Sequence, residues 1–320
     1  MNAAAHFHST LTKELNQVIC GLDDTLHGLA IALIGRGHTL LEGAPGLGKT
    51  LLAKSLAQIL GGEFGRIQCT ADLMPSDMTG IHVFNDRENC FDFLPGPLFN
   101  KVVLVDEINR TGPKTQSALL QAMEESMISL DRKSYPLPDD YFVIASQNPL
   151  YFEGVFPLPE SQLDRFLLRL EINYPDQETE IAILRRYDRP GGGHAELPVS
   201  LENLPEGLLE QARSEAAEVH VADSLYRYVA EIAAHSRNHP HLSLGLSPRG
   251  ALALMRCARA EAAIQDRAYV IPDDIKTIAA WVIGHRLLPT SEAVLEGIDV
   301  MNIFHEITNE VPVPREAAFA

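Results

Sequence analysis

Eight residues, Gly43-Ala44-Pro45-Gly46-Leu47-Gly48-Lys49-Thr50, stand between an apolar run that reads as a strand, 38–42, and a run that reads as the start of a helix. No other feature narrows the fold as much, because a glycine-rich turn from strand to helix belongs to a sheet with helices packed on it. The spacing GxxxxGK[ST] also carries a mechanism. Glycines let the backbone curl until its N–H groups converge, and the helix that follows adds its positive end. Such a cradle suits the phosphates of a nucleoside triphosphate, with Lys49 between the β and γ groups and the Thr50 hydroxyl on Mg2+. A dinucleotide cradle needs GxGxxG, whereas the glycines here run GxxGxG.

The rest of residues 1–172 fits that start. Short β-rich runs at 64–68, 102–106, 141–146 and 166–171 alternate with helical patterns, so the class is α/β with a parallel sheet covered on both faces. Val102-Val103-Leu104-Val105 is unbroken and apolar, as a strand buried on both faces should be. It ends in Asp106 and Glu107. Ligands gather outside the carboxyl ends of parallel strands, so this pair should face the glycine-rich loop. Asp106 is the candidate Mg2+ carboxylate, and Glu107 the candidate that orients and polarises an attacking water. Asn148, closing the run 141–146 in Ser146-Gln147-Asn148-Pro149, is placed to hydrogen-bond the γ-phosphate and that water. Two stretches interrupt the sheet pattern and read as hairpins: 81–95, which holds Phe84, Phe91 and Phe93, and 126–140.

After Tyr174-Pro175 the strand-like runs give way to amphipathic helices at 224–234, 251–264 and 272–283. Arg189 to His194, with three consecutive glycines, reads as a flexible surface link. A chain of 320 residues is long enough for two domains, and 46% hydrophobic against 22% charged residues describes a globular protein. The 26 basic residues face 43 acidic ones, a net charge of −17 that repels phosphate backbones and anionic membranes. Cys20, Cys69, Cys90 and Cys257 have neither zinc-site nor disulfide spacing and read as reduced structural thiols. His6, His8, His239 and His241 read as exposed loop residues, Met123, Met127 and Trp281 as packing, and Arg185, Arg186 and Arg189 as a solvated helix end. Phe91 and Phe93 either grip a partner or lie under their own hairpin. No apolar run reaches the length of a membrane helix and no secretory leader is visible, so a cytoplasmic location is expected.

Three separated runs carry a family resemblance: Gly96-Pro97-Leu98-Phe99, Asp106-Glu107-Ile108-Asn109-Arg110, and Gln116-Ser117-Ala118-Leu119-Leu120-Gln121-Ala122-Met123-Glu124. With the glycine-rich loop they resemble the AAA+ ATPases, and within these the MoxR family, over nearly the whole chain. The resemblance implies a nucleotide-binding αβα domain with a five-stranded sheet at 1–172 and a small all-α lid at 173–320. It reads the two interruptions as a helix-2 insert at about 80–97 and a pre-sensor-1 hairpin at about 126–140, both facing a pore. It further implies a homo-oligomeric ring, usually a hexamer, with ATP and Mg2+ held between neighbours. By the same resemblance Asn148 is sensor 1 and Arg165 is the finger supplied to the neighbour's ATP, with Arg110 or Arg169 as substitutes. The residues alone leave Arg165 as an ordinary partner of Asp164 or a strand-flanking charge. Arg249 in Ser247-Pro248-Arg249 resembles sensor 2, starting a lid helix and reaching back to the nucleotide. Gly21 stands where relatives often have Gly-Gln near the adenine, but Leu22 follows it here, which points to recognition by the backbone of 19–21.

The activity implied is ATP hydrolysis that drives remodelling, maturation, or metal or cofactor insertion of a client protein, with a partner bearing a von Willebrand factor A domain. Competing expectations are a magnesium-chelatase ATPase subunit, a DNA-acting motor, which the net charge opposes, and a nucleotide-gated scaffold, which an intact Glu107 opposes.

Overall fold

The computed structural model describes residues 1–130, 133–148, 155–188 and 200–314. Two helices, α1 (Ala3–Asn16) and α2 (Asp23–Ile34), precede the sheet. β1 (Thr39–Gly43) runs through the glycine-rich loop into α3 (Lys49–Ile59), and β2 (Phe64–Gln68) follows. The one-turn α4 (Pro75–Thr79) leads to a hairpin of β3 (Gly80–Asn85) and β4 (Cys90–Pro95). Then come β5 (Val102–Asp106), α5 (Pro113–Glu125), a second hairpin of β6 (Met127–Leu130) and β7 (Lys133–Pro136), and β8 (Phe142–Gln147). A short α6 (Glu160–Leu163) precedes β9 (Leu168–Ile172).

Strands β2-β5-β8-β1-β9 make one five-stranded parallel sheet. All their carboxyl ends therefore lie together, and β1 sits between β8 and β9 rather than beside β2. That jump opens a crevice at the carboxyl end of β1, where open α/β sheets bind ligands. Val102 to Val105 are fully buried, as their unbroken apolar run requires, while edge strand β2 alternates buried and exposed residues. The sequence-read strands match within one or two residues, the difference at 166–171 arising because Phe166 and Leu167 belong to the turn that enters β9.

Beyond the sheet lie α7 (Gln177–Tyr187), α8 (Leu208–Glu218), α9 (Asp223–Asn238), β10 (Leu242–Leu244), α10 (Pro248–Ile264), α11 (Pro272–Ile283), β11 (Leu288–Pro289), α12 (Ser291–Leu295) and α13 (Val300–Glu310). Among the described residues the part is helical apart from the short antiparallel pairing of β10 with β11 and a single bridge between His220 and Tyr269. Ser247 starts α10 by accepting the Gly250 N–H at 3.0 Å, and Pro248 occupies the first turn, where its missing N–H costs nothing. α8 packs on α1 and α2, and one buried apolar cluster runs from α1 and α2 through α3 to α10 and α11. The glycine link at 191–193, with Arg189, lies outside the described residues; Arg185 and Arg186 do end α7.

Two local readings change, those of the histidines and of Met127, and two are filled in. Among the four histidines only His6 is exposed, and it lies on α1; His8 is half-buried against His27, and His239 and His241 pack as a ring pair 5.6 Å apart. A helical position covers His8, and the end of α9 with Glu306 of α13, 3.6 Å away, covers His239. Met127 is 39% exposed on its hairpin, whereas Met123 is buried. Phe91 and Phe93 part ways: Phe91 is 68% exposed, while Phe93 stacks on Tyr135 of the other hairpin at 4.3 Å. Cys90 is exposed and Cys20 half-buried, with Cys69 and Cys257 in the core.

Candidate active site

The carboxyl ends of β1, β5 and β8 bring together most of the residues singled out in the sequence. Gly46 and Gly48 have φ of +86° and +77°, conformations that L side chains rarely adopt, and a Cβ at either would meet no atom within 4 Å. The loop thus turns around open space, and α3 begins at Lys49 with no side-chain cap on its first turn, so its N–H groups remain available there. Lys49 Nζ donates to the Gly43 carbonyl at 2.6 Å. Burial holds its ammonium below the ordinary lysine range, against the opposing pull of Asp106, Glu107 and Glu42 nearby. A cation partly stripped of water beside three carboxylates is what a polyphosphate would meet.

Asp106 ends β5. Its Oδ1 accepts the Ser146 hydroxyl at 2.7 Å, and its Oδ2 accepts Arg66 Nη2 at 2.9 Å. Glu107 is held at φ +58°, a strained region for a non-glycine residue, with its N–H donated to Ser146 Oγ at 3.0 Å. Ser146 therefore orients both acids. The Glu107 carboxylate lies 3.3 Å from Gln68 Nε2 and 3.2 Å from Arg110 Nε. The sequence reading missed Arg66, Gln68 and Ser146. The signal for the first two was the polar alternation of β2, Phe-Gly-Arg-Ile-Gln, which puts both on the face beside β5. Asn148 follows β8 at the same end, and its carbonyl accepts Asn109 Nδ2 at 3.3 Å. Gly21 approaches Thr179, just beyond the carboxyl end of β9. The Thr50 hydroxyl and Asp106 carboxylate are hard oxygen donors, a set that fits Mg2+, and each carboxylate oxygen keeps a lone pair beyond its present partner.

Arg165 and Arg249 are elsewhere. Thr39 pairs with Leu168 and Gly43 with Ile172, so Arg165 precedes the first rung of the sheet while 44–50 lie past the last. The strand length between them is about 13 Å at ~3.3 Å per residue. Arg165 Nη1 lies 2.8 Å from Glu124 Oε2 and donates to the Leu120 carbonyl at 3.0 Å. Arg249 Nη1 reaches the other oxygen of the same Glu124 at 3.2 Å. The end of α5 that carries Glu124 is fixed at the amino end of β1, because the neighbouring Met123 carbonyl bonds His38 Nε2 at 3.2 Å. Arg249 thus joins Arg165 on one acid instead of meeting its own loop, and Arg165 does not pair with Asp164. Of the substitutes, Arg110 pairs with Glu107 just past the end of β5, and Arg169 on β9 pairs with Glu42 and Glu171 within the sheet.

Residues 38–168 match the ATPase family associated with various cellular activities (AAA), and residues 234–307 match the AAA lid domain. The chain is 35% identical to the chaperone MoxR1 of Mycobacterium tuberculosis over 98% of its own length and 84% of that protein's. This chain belongs to the MoxR family of AAA+ ATPases. The YeaC protein of Bacillus subtilis is 43% identical, over 94% of this chain and 93% of YeaC. A crystal structure of a candidate ATPase from Cytophaga hutchinsonii superimposes with a TM-score of 0.88 at 33% identity, covering 98% of this chain and 97% of that one. An α/β sheet domain with a helical lid is thus the MoxR-type arrangement, and no helix among the described residues is long and apolar enough to cross a membrane.

Proposed function

We propose that this MoxR-type ATPase hydrolyses ATP with Mg2+ at an interface between like subunits of a ring, and uses the cycle to remodel a client protein. The observation that carries the reading is the polarity of the sheet. One end offers a glycine cradle, a desolvated lysine and an acidic pair; the other offers Arg165 and Arg249, held on Glu124 away from their own chain's cradle. Residues 43–50 hold the phosphates, Thr50 and Asp106 hold Mg2+, Glu107 polarises the attacking water, and Asn148 senses the γ-phosphate. When bound, Mg2+ offsets charge on the phosphate oxygens. Arg165 and Arg249 come from the neighbour, where a guanidinium stabilises charge developing during transfer and is present only in an assembled ring. Gly21 and its flanking backbone are assigned to the base.

The client role is supported by the chaperone name of the M. tuberculosis relative and by the two hairpins. Ile81, Val83, Phe84, Phe91 and Leu94 expose apolar surface on the first, which is braced from behind by the Phe93–Tyr135 stack. A hexamer, a partner with a von Willebrand factor A domain and a cytoplasmic location complete the proposal. Glu107→Gln should leave ATP binding intact and lower turnover by about 10²- to 10⁴-fold. Wild-type turnover in that variant, measured by phosphate release, rejects the assignment of the catalytic acid.

A further inference from the structure

Arg286, between α11 and β11, is buried at 6% exposure, yet each of its five N–H donors has an acceptor. Nε donates to Asp164 Oδ1 at 2.6 Å, one Nη2 proton to the Phe166 carbonyl at 2.6 Å and the other to the Asp164 carbonyl at 3.3 Å. Nη1 donates to the Leu167 carbonyl at 3.1 Å and to the Val282 carbonyl. Four of the five acceptors belong to residues 164, 166 and 167, on both sides of Arg165. Two further lid residues join them. His285 Nε2 donates to the Phe166 carbonyl at 3.1 Å, and the Ser247 hydroxyl donates to Asp164 Oδ2 at 3.3 Å. Burial keeps His285 neutral, with its proton on Nε2, because that nitrogen faces the Phe166 carbonyl, which can only accept.

We infer that Arg286 is a positioning residue that fixes the Arg165 segment to the subunit's own lid, so that lid and trans arginine move as one body. The inference rests on the reading of Arg165 above. A brace whose purpose was to join lid and sheet could land anywhere along the sheet, and burying a guanidinium for it is costly. This one lands on the peptide units that aim Arg165, and the same lid supplies Arg249 to the same Glu124. Any lid rotation on nucleotide exchange in one subunit is therefore delivered to the phosphates bound by the next.

The test uses the full chain. Arg286→Lys keeps a charge but cannot make the fork, and it should lower kcat on the order of a hundredfold, the cost of misplacing a reacting group. Binding of a fluorescent ATP analogue to the variant's own cradle should be unchanged. Mixing the variant with Glu107→Gln subunits, which keep a sound arginine segment but cannot turn over, should restore turnover to the variant's sites. A merely structural role gives no such recovery. Asp164→Asn, at a partly exposed position, should show the same pattern more weakly and serves if the lysine variant does not fold. Wild-type kcat in the folded variants, or a loss that mixing does not restore while Arg165→Ala is restored, overturns the inference. If Arg165→Ala is itself not restored by mixing, the reading of Arg165 as a trans residue falls first.

Discussion

The two ends of the central sheet are chemically opposite. The carboxyl end combines backbone donors, one desolvated lysine and the acids Asp106 and Glu107, with Arg66, Gln68 and Arg110 tethering those acids. At the amino end Arg165 and Arg249 share Glu124, and Arg286 is locked inside. Each end is built with care and neither makes a complete phosphoryl-transfer site. In the function proposed above, the working unit is the junction of one subunit's carboxyl end with another's amino end.

The largest test removes the amino end's contribution. Arg165→Ala should lower turnover by about 10³-fold or more while ATP binding persists, whereas an equal loss of binding would place the residue in its own chain's cradle. Arg249→Ala should cost about tenfold to a hundredfold, the worth of one hydrogen bond to a charged group. Should that loss appear in dilute, unassembled chains as well, Arg249 is serving its own nucleotide and the contrast between the ends weakens.

Stability should also distinguish the ends. His38, at the amino end, accepts the Val143 N–H on Nδ1 at 3.1 Å while Nε2 donates to Met123, so it must stay neutral. Desolvation lowers its pKa from 6.5 to about 4. Unfolded chains then bind a proton that folded chains refuse, so the stability is full above pH 6.5 and lost as pH falls toward 4. By pH 5 the loss should be about 2 kcal/mol. Urea midpoints at pH 7.5 and pH 5 should differ accordingly, and His38→Gln should flatten the difference. The smallest effect is expected from Glu124→Gln. Freeing both arginines from a half-exposed acid should raise turnover by about twofold to fivefold, the value of a surface ion pair. A fall instead would mean that Glu124 aims the arginines rather than competes with the phosphate.

Much of the carboxyl end was legible because its chemistry is written in consecutive residues. The loop 43–50 and the Val102–Asp106 strand name their own structure, since glycine spacing and an unbroken apolar run act over a few residues. Arg66 and Gln68 were only hinted at, because a polar alternation marks an edge strand without saying what its polar face meets. An Asp164 partnership was one of two alternatives the residues alone left open for the adjacent Arg165, yet the turn into β9 points Asp164 at Arg286, 122 residues away.

By itself, the order of residues determined the class of the fold and the glycine-rich loop and acidic pair that meet at one end of the sheet, since periodicity and local backbone freedom are properties of short segments. Only the tertiary structure decided that Arg165 and Arg249 lie at the far end from that loop and share one acid, and that Arg286 grips the peptide units on both sides of Arg165. Parallel strands carry no mark of which distant side chains gather at either end; that is settled when α5, β9 and the lid pack together, and a guanidinium has direction only once its acceptors are in place.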